Sequence, residues 1–407
     1  ATPGGSVHLG PGGILSVHDI TAPGRIDLFG GAAGTVSVNK LQSDSMGAAV
    51  QGQINIGGGD IIFANDLSAT DQIYMDVGNS ITTRRLDSTT ANIFLRSAGS
   101  GNITLNGPAT AATNIGIVQT GTGSVSAGAL TGDVVQVDAA GGNVTVGTTN
   151  ASSSTRLTAN GTITATGDLT SGGGVALKGI SPSGLADVVI SGNSITAADI
   201  VVQDARNFTV NDFTTSIPMN LTVSGNFTAT GVLKTPGSLI LRAGGALDIR
   251  DAQGTAAMQI DGPVDLAGAT GVTLRGAISS SGAMTVSSSA GNIILLNASL
   301  TTASNSITPP AMILAAKGAM NLANSTLVAS SGQIELDAGS ITSSGSNSIN
   351  AGALVVDAAN SVDLANSSIT VGSLLSSIPG DSALYSSLPP ALQPVATSPN
   401  AGFRGTS

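Results

Sequence analysis

The chain has 407 residues, carries a net charge of −10 and contains no cysteine. The missing cysteine excludes disulfides, thiol catalysis and thiolate metal sites. The acidic balance, with Arg84-Arg85 as the only adjacent basic pair, argues against nucleic-acid binding. Only 9% of the residues are charged and 55 are glycine, a composition that favours turns and strands over exposed helices.

A membrane-spanning helix is not predicted, because the apolar residues are dispersed along the chain. The longest uninterrupted apolar run extends from Ala311 to Ala316, far short of the roughly 20 residues that a spanning helix needs. The chain begins Ala1-Thr2-Pro3-Gly4-Gly5, without the apolar segment of a signal peptide. We therefore expect either a mature exported protein or an excised fragment.

Residues 1–50 predict an N-terminal coil or cap. Ser6-Val7-His8-Leu9 and Ser16-Val17-His18-Asp19-Ile20 are two related strand-like segments, the second soon after the first. A β-helix exposes an unpaired rung at each end, so we expect a segment that covers this edge.

Residues 51–375 carry a recurring unit whose clearest copy is Gly101-Asn102-Ile103-Thr104-Leu105-Asn106-Gly107. Polar and apolar residues alternate between glycine turns, which is the period of a β-strand with one buried face. A strand this short cannot bury that face alone and needs copies of itself as neighbours. Further copies begin at Gly52, Gly142, Gly291 and Gly332.

The spacing of these units predicts that they stack as a parallel β-helix. Strand-opening glycines lie at positions 101, 123, 142 and 161, so the steps between them are nearly equal, and loops of variable length explain the difference. Coils of about 20 residues are within the range of structural repeats, and about 18 of them at ~4.8 Å would extend for ~90 Å. A step of this kind also pairs Phe208 with Phe227 and Val144 with Ile163 as the predicted core stack.

Residues 376–407 predict a proline-rich tail that leaves the sheet, because proline cannot join the middle of a sheet. We expect this tail to be an assembly segment that lies against a neighbouring copy. The alternative is a tail that folds back on its own coils. The apolar anchors predicted for assembly are Leu384, Tyr385, Leu388, Leu392 and Phe403.

The Gly-Asn-Ile-Thr-Leu unit, with its Ser-Gly-Ser and Ala-Gly turns, resembles the passenger regions of bacterial filamentous-haemagglutinin-type exoproteins and autotransporter adhesins, over roughly residues 50–375. The resemblance implies an all-β chain built as a single parallel β-helix, right-handed by analogy. It also implies a secreted structural or adhesive protein of the cell surface or extracellular matrix. Such a protein would associate with itself head to tail as a fibre and could contact surface or matrix components.

The alternative hypothesis is a β-helical lyase or glycosidase that acts on an extracellular polysaccharide, since such chemistry uses paired carboxylates. Turn aspartates and surface ion pairs give the same sequence pattern. The chain has only seven Phe, two Tyr and no Trp to hold a large ligand, and its only histidines are His8 and His18. The leading prediction is therefore a protein without catalytic residues, metal or cofactor. The cluster that would serve the enzyme is Asp248, Arg250, Asp251, Asp261, Asp265 and Arg275.

Overall fold

The computed structural model describes residues 7–10, 12–31, 33–44, 52–180, 186–250, 258–377 and 403–404. All of the regular secondary structure within these ranges is β-strand. Contacts divide the chain into two compact units, Ala1–Arg206 and Asn207–Ser407. In each unit the strands, apart from one short C-terminal pairing, pair in parallel at steps of about one coil, so the predicted all-β parallel β-solenoid is confirmed.

The first unit contains β1 to β21, most of them short. Their bounds are β1 Val7–Leu9, β2 Leu15–Ala22, β3 Ile26–Phe29, β4 Thr35–Ser43, β5 Ile54–Gly57, β6 Ile61–Ala69, β7 Ile73–Val77, β8 Ser80–Ser88, β9 Ile93–Ser97, β10 Ile103–Leu105, β11 Ala109–Ala111, β12 Asn114–Gln119, β13 Val125–Ala127, β14 Leu130–Ala139, β15 Val144–Val146, β16 Thr149–Ala159, β17 Ile163–Ala165, β18 Leu169–Ser171, β19 Gly174–Gly179, β20 Ala186–Ala197 and β21 Asp199–Gln203.

These strands form three parallel ladders, one for each side of the coil. The first ladder runs through β1, β3, β5, β7, β9 and β12, then through the second halves of β14 and β16, and ends with β19 and β21. The second ladder contains β10, β13, β15 and β17 and continues into β20. The third contains β11, the first halves of β14 and β16, and β18, and it also continues into β20. β2, β4, β6 and β8 supply both of these ladders, because each bends at a corner.

The second unit contains β22, whose first two residues precede the boundary, and β23 to β37, and its strands also form three ladders. The bounds are β22 Ala205–Thr215, β23 Met219–Val223, β24 Phe227–Ala229, β25 Leu233–Lys234, β26 Leu239–Ala243, β27 Ala246–Ile249, β28 Met258–Ile260, β29 Val264–Gly268, β30 Gly271–Ser280, β31 Met284–Ser288, β32 Asn292–Thr302, β33 Met312–Ala323, β34 Thr326–Ser344, β35 Asn347–Asp363, β36 Ser367–Ser377 and β37 Phe403–Arg404.

The last coils of the second unit differ from the short strands that the sequence predicts. β34 alone has 19 residues and takes part in all three ladders of the second unit. Its register with β35 shifts between Ala329 and Gln333 and again between Ala338 and Ser340. Bulges bend a strand without ending it, so these corners are formed inside continuous strands.

Inward residues of successive coils stack in register and form the core of each unit. Val144 pairs with Ile163 in the second ladder of the first unit, and both are fully buried. Phe208 pairs with Phe227 in the second unit, with ring centroids 5.6 Å apart and an interplanar angle of 74°. The structure therefore brings the residues of the predicted core stack into contact, in an edge-to-face arrangement that aromatic pairs favour.

The asparagine that follows the turn glycine in the recurring unit connects successive coils. Oδ1 of Asn143 accepts a hydrogen bond from the backbone N–H of Thr162 at 2.8 Å. In the second unit, Oδ1 of Asn226 accepts one from the N–H of Ala246 at 2.8 Å. Turn N–H groups that no strand can pair thus find acceptors, which explains why the unit opens with Gly-Asn.

One corner of the first unit brings the backbones of successive coils unusually close. Gly99 and Gly121 open the turn between the first and second ladders in adjacent coils. A Cβ placed on Gly121 would overlap the carbonyl oxygen of Gly99. Only glycine permits this approach. A Cβ on Gly123, one of the strand-opening glycines noted in the sequence, would overlap the carbonyl oxygen of Gly101 in the same way.

The structure describes different shares of the two ends of the chain. β1 to β4, from Val7 to Ser43, take positions in the ladders of the first unit. Of the predicted tail, the structure describes Ser376 and Ser377, which continue β36 beyond the predicted end of the body at residue 375, and β37. No helix in the described ranges is long and apolar enough to cross a membrane.

Candidate functional site

The acidic cluster predicted for an enzyme contains one direct ion pair. Asp248 and Arg250 lie in and just after β27, and Arg250 Nε donates to Asp248 Oδ2 at 2.7 Å. This hydrogen bond, with the charge of Asp248, raises the pKa of Arg250 above its ordinary value. The carboxylate is therefore held by an arginine two residues further along the chain.

The other members of this cluster are dispersed. Asp265 lies on β29, in a different ladder from Asp248, and accepts a bond from Arg242 at 2.7 Å. Asp261 is exposed after β28. Arg275 lies where the register of β30 shifts, and its buried Nε has no hydrogen-bond partner within the described ranges. Asp251 is outside those ranges, so the structure places no carboxylate pair of this cluster on one ladder.

Ion pairs with aspartate are a general feature of the outer surface. Arg84, for example, donates from Nε to Asp66 Oδ1 at 2.9 Å, and this bond lowers the pKa of Asp66. Each pair places a cation beside an anion, so these surfaces carry little local net charge. The arginines paired in this way are Arg25, Arg84, Arg85, Arg96, Arg156, Arg206, Arg242 and Arg250.

The predicted assembly anchors of the tail cannot be placed as side chains. Leu384, Tyr385, Leu388 and Leu392 lie outside the described residues. The backbone of Phe403 and Arg404 forms β37, which pairs antiparallel with Ser376 and Leu375 at the end of β36. This short pairing lies within the second unit itself.

The most distinctive surface of the described chain is an aromatic pair on the first ladder of the first unit. Tyr74 on β7 and Phe94 on β9 are paired in register and point outwards. Their ring centroids are 5.5 Å apart and their planes differ by 11°. An outward aromatic stack contributes little to the core, so it marks this face as a candidate binding surface.

A missing side chain opens a groove next to this stack. Gly116 on β12 follows Phe94 in the same register row, and Gln136 on β14 comes next. A Cβ on Gly116 would lie 2.9 Å from Cδ2 of Phe94, so the ring leans into the space that glycine leaves. The resulting groove has a volume of about 570 Å³ and extends along the coils from Tyr74 to Gln136.

Side-chain amides line this groove together with the two rings. Gln72, Asn92, Asn114 and Gln136 all contribute to its wall. Oδ1 of Asn92 accepts from Oγ1 of Thr113 at 2.5 Å and from the N–H of Asn114 at 3.1 Å. The amide nitrogen of Asn92 is thereby oriented, and no bond within the described ranges uses its two donors.

Two aspartate–arginine ion pairs, whose charges compensate each other, lie in the register row next to the groove. Oδ2 of Asp76 accepts from the hydroxyl of Tyr74 at 3.2 Å and lies 3.5 Å from Nη1 of Arg96. Further along, Gln136 donates to Asp138, and Asp138 lies 3.8 Å from Nη2 of Arg156. The groove is therefore polar but close to neutral.

The surroundings of Tyr74 predict a raised pKa for its hydroxyl group. Burial raises the pKa of Tyr74 above its ordinary value of 10.0, and the charge and hydrogen bond of Asp76 raise it further. In a Tyr385→Phe background, tyrosinate absorbance should therefore show a midpoint above 10.0. Because the folded pKa is the higher one, the associated stability is present below the unfolded pKa and is lost as pH rises through the folded pKa.

The matched variant for this titration is Asp76→Asn, which removes the negative charge but keeps a polar side chain. Its midpoint should lie below that of the parent, because two of the causes that raise the pKa of Tyr74 are weakened. An equal or higher midpoint in the variant would contradict this account.

Sequence reasoning did not find the groove, although a signal was present. Tyr74 and Phe94 occupy equivalent places in successive strands of one ladder, because each follows an isoleucine that opens its strand. At positions where the alternation requires an outward polar residue, two aromatics one coil apart indicate a surface stack. The low total count of aromatic residues concealed this local concentration.

Comparisons with models of protein families, with curated proteins and with solved structures found no match.

Proposed function

We propose that the chain is a secreted structural and adhesive β-solenoid protein that associates head to tail as a fibre at the cell surface or in the extracellular matrix. The observation that carries the proposal is the open strand edge of the first unit. Within the described ranges β1 pairs only with β3, and β2 pairs only with β4. An unpaired edge is a template for another strand. The secreted, surface-associated setting is supported by the resemblance of the recurring unit to exoproteins.

The open edge of β1 can be assigned residue by residue. The N–H of Val7 donates to the carbonyl of Arg25 at 2.9 Å, so Val7 faces β3. In a parallel ladder the backbone groups of successive residues face opposite sides. The N–H and carbonyl of His8 therefore face the open edge.

Exposed apolar side chains accompany this edge. Ile14, just before β2, is 76% exposed, and Leu9 and Phe29 are also exposed. An apolar surface beside unpaired backbone is typical of an interface. A contact between this end of one copy and a different surface of the next is heterologous and continues as a filament unless the rotation closes.

Assembly is tested with His8→Pro, since proline removes the N–H that faces the open edge and leaves the bond from Val7 to β3. His8→Ala is the matched control, because it removes the same imidazole but keeps the N–H. Sedimentation velocity over a range of concentrations should show polymers for the parent and His8→Ala, and far fewer for His8→Pro. Monomers in all three proteins, or equal assembly in all three, would overturn the proposed head-to-tail contact.

Truncation after Ser377 tests the separate prediction that residues 376–407 are an assembly segment. Loss of polymers in the truncated protein would support that role. Unchanged assembly would remove the tail from it and leave the strand edges as the contact. The proposal assigns no catalysis to the chain, and Asp248→Asn and Asp265→Asn should assemble like the parent.

A further inference from the structure

We propose that the groove between Tyr74 and Gln136 binds a neutral oligosaccharide. The inference supplies a ligand class for the adhesive part of the proposed function, on which it rests, and it does not depend on head-to-tail assembly. Three properties of the groove support it: the aromatic stack, the amide lining and the absence of net charge.

The aromatic stack gives the groove an apolar surface that a sugar ring can cover. Tyr74 and Phe94 have parallel rings, and the glycine at 116 keeps the next position in the row free of a side chain. The C–H faces of pyranose rings pack on the faces of such aromatic groups, because a ring face is apolar and carries the negative part of the ring's quadrupole. The groove thus offers a platform next to a vacant position of one residue.

The amide lining supplies the directional contacts that hydroxyl groups need. An amide offers both donors and an acceptor. Asn92 presents its amide nitrogen, since its Oδ1 is already used by Thr113 and Asn114. Gln136 presents Oε1, since its Nε2 donates to Asp138. Sugar hydroxyls donate and accept in the same way, so alternating amide donors and acceptors match them.

Charge decides between classes of ligand. Asp76 is paired with Arg96, and Asp138 with Arg156, so neither sign is in excess beside the groove. A polyanionic glycan or a nucleic acid would need uncompensated cations, and the whole chain has a net charge of −10. A neutral glycan needs no compensation.

The direction of the groove also fits a chain rather than a single compact ligand. Tyr74, Phe94, Gly116 and Gln136 occupy one register row in four successive coils. Three steps of ~4.8 Å give a length of ~14 Å along the ladder. Several linked sugar units can lie along such a row, each opposite one coil.

The chain contains its own spectroscopic probe for this inference. It has no Trp and two Tyr, so Tyr385→Phe leaves Tyr74 as the sole tyrosine. The fluorescence of this variant is titrated with cellohexaose, chitohexaose and maltohexaose, and with oligogalacturonate as the anionic probe. At least one neutral hexasaccharide should give a saturable change, and oligogalacturonate should give none.

Substitutions in the groove identify the site. Phe94→Ala should weaken binding by about tenfold, as expected when one aromatic contact is lost. Gly116→Ala should also weaken it, because the added Cβ would lie 2.9 Å from Cδ2 of Phe94 and displace the ring. Phe63→Ala is the matched control: Phe63 is an outward aromatic that is 47% exposed, but it pairs with Ser37 and Thr82 on another ladder. Its affinity should equal that of the parent.

Several results would overturn the inference. These are a lack of response to every neutral probe, binding that Phe94→Ala does not weaken, or preferential binding of oligogalacturonate. A Tyr74 signal that changes with protein concentration alone would assign the groove to contact between copies. Sedimentation of the same samples separates the two proposals, because failure of sugar binding with assembly intact refutes this inference only.

Discussion

Replacing Phe227 with alanine is expected to lower the free energy of unfolding by about 3–5 kcal/mol, the range for truncating a buried phenylalanine. Phe227 is fully buried and lies between Phe208 and Leu247 in register. The truncation removes the edge-to-face contact with Phe208 and leaves a cavity, because strands paired on both sides cannot collapse into it. Urea denaturation followed by circular dichroism measures the change.

Phe63→Ala is the control for this measurement, because it makes the same chemical change at an outward position that is 47% exposed. Surface substitutions usually change the free energy of unfolding by no more than about 0.5 kcal/mol. A loss in Phe227→Ala no larger than in Phe63→Ala would show that the aromatic stack does not stabilise the second unit.

Gly121→Ala is expected to destabilise the first unit by about 1–3 kcal/mol, the range for overpacking a site that cannot relax easily. The new Cβ would overlap the carbonyl oxygen of Gly99 in the preceding coil, and that obstacle is backbone. To relieve it, two coils must separate at the corner where they are hydrogen-bonded to their neighbours. A fall in the urea midpoint measures this cost.

The matched control is Gly174→Ala, also in the first unit. A Cβ there would meet only the carbonyl oxygen of Asp199, at an ordinary 3.8 Å. A glycine replaced without strain stabilises a protein by about 0.4–1 kcal/mol, because the unfolded chain loses freedom. Equal effects of the two substitutions would contradict the close approach inferred at Gly121.

Much of the fold could be predicted because equal spacings in the sequence indicate which residues of adjacent coils are paired. The equal steps from Phe208 to Phe227 and from Val144 to Ile163 correspond to paired positions in adjacent coils. Coil length is less regular elsewhere, since the step from Ile26 to its partner Ile54 is much longer. Alternation fixes which residues face inwards. A loop of any length can leave a ladder and rejoin it, so the strand boundaries cannot be predicted from the period alone.

The surface was harder to predict than the core. The partner of Asp265 is Arg242, which lies one coil earlier and on a strand that the sequence analysis did not connect with it. The groove depends on what is missing at Gly116 as much as on Phe94. From a single sequence, a glycine inside a strand indicates only that the strand is weakened there. Its structural role at this position depends on Phe94, its neighbour in the adjacent coil.

The regular register of the second ladder has a consequence for how such a gene can change. Val125, Val144 and Ile163 are paired in succession and are separated by equal steps along the chain. Duplication of one such stretch by unequal recombination adds a rung whose inward residues already match both neighbours. Deletion removes one just as cleanly. Gene duplication or deletion can therefore lengthen or shorten this part of the protein by whole coils, while the inward residues still pack against their neighbours.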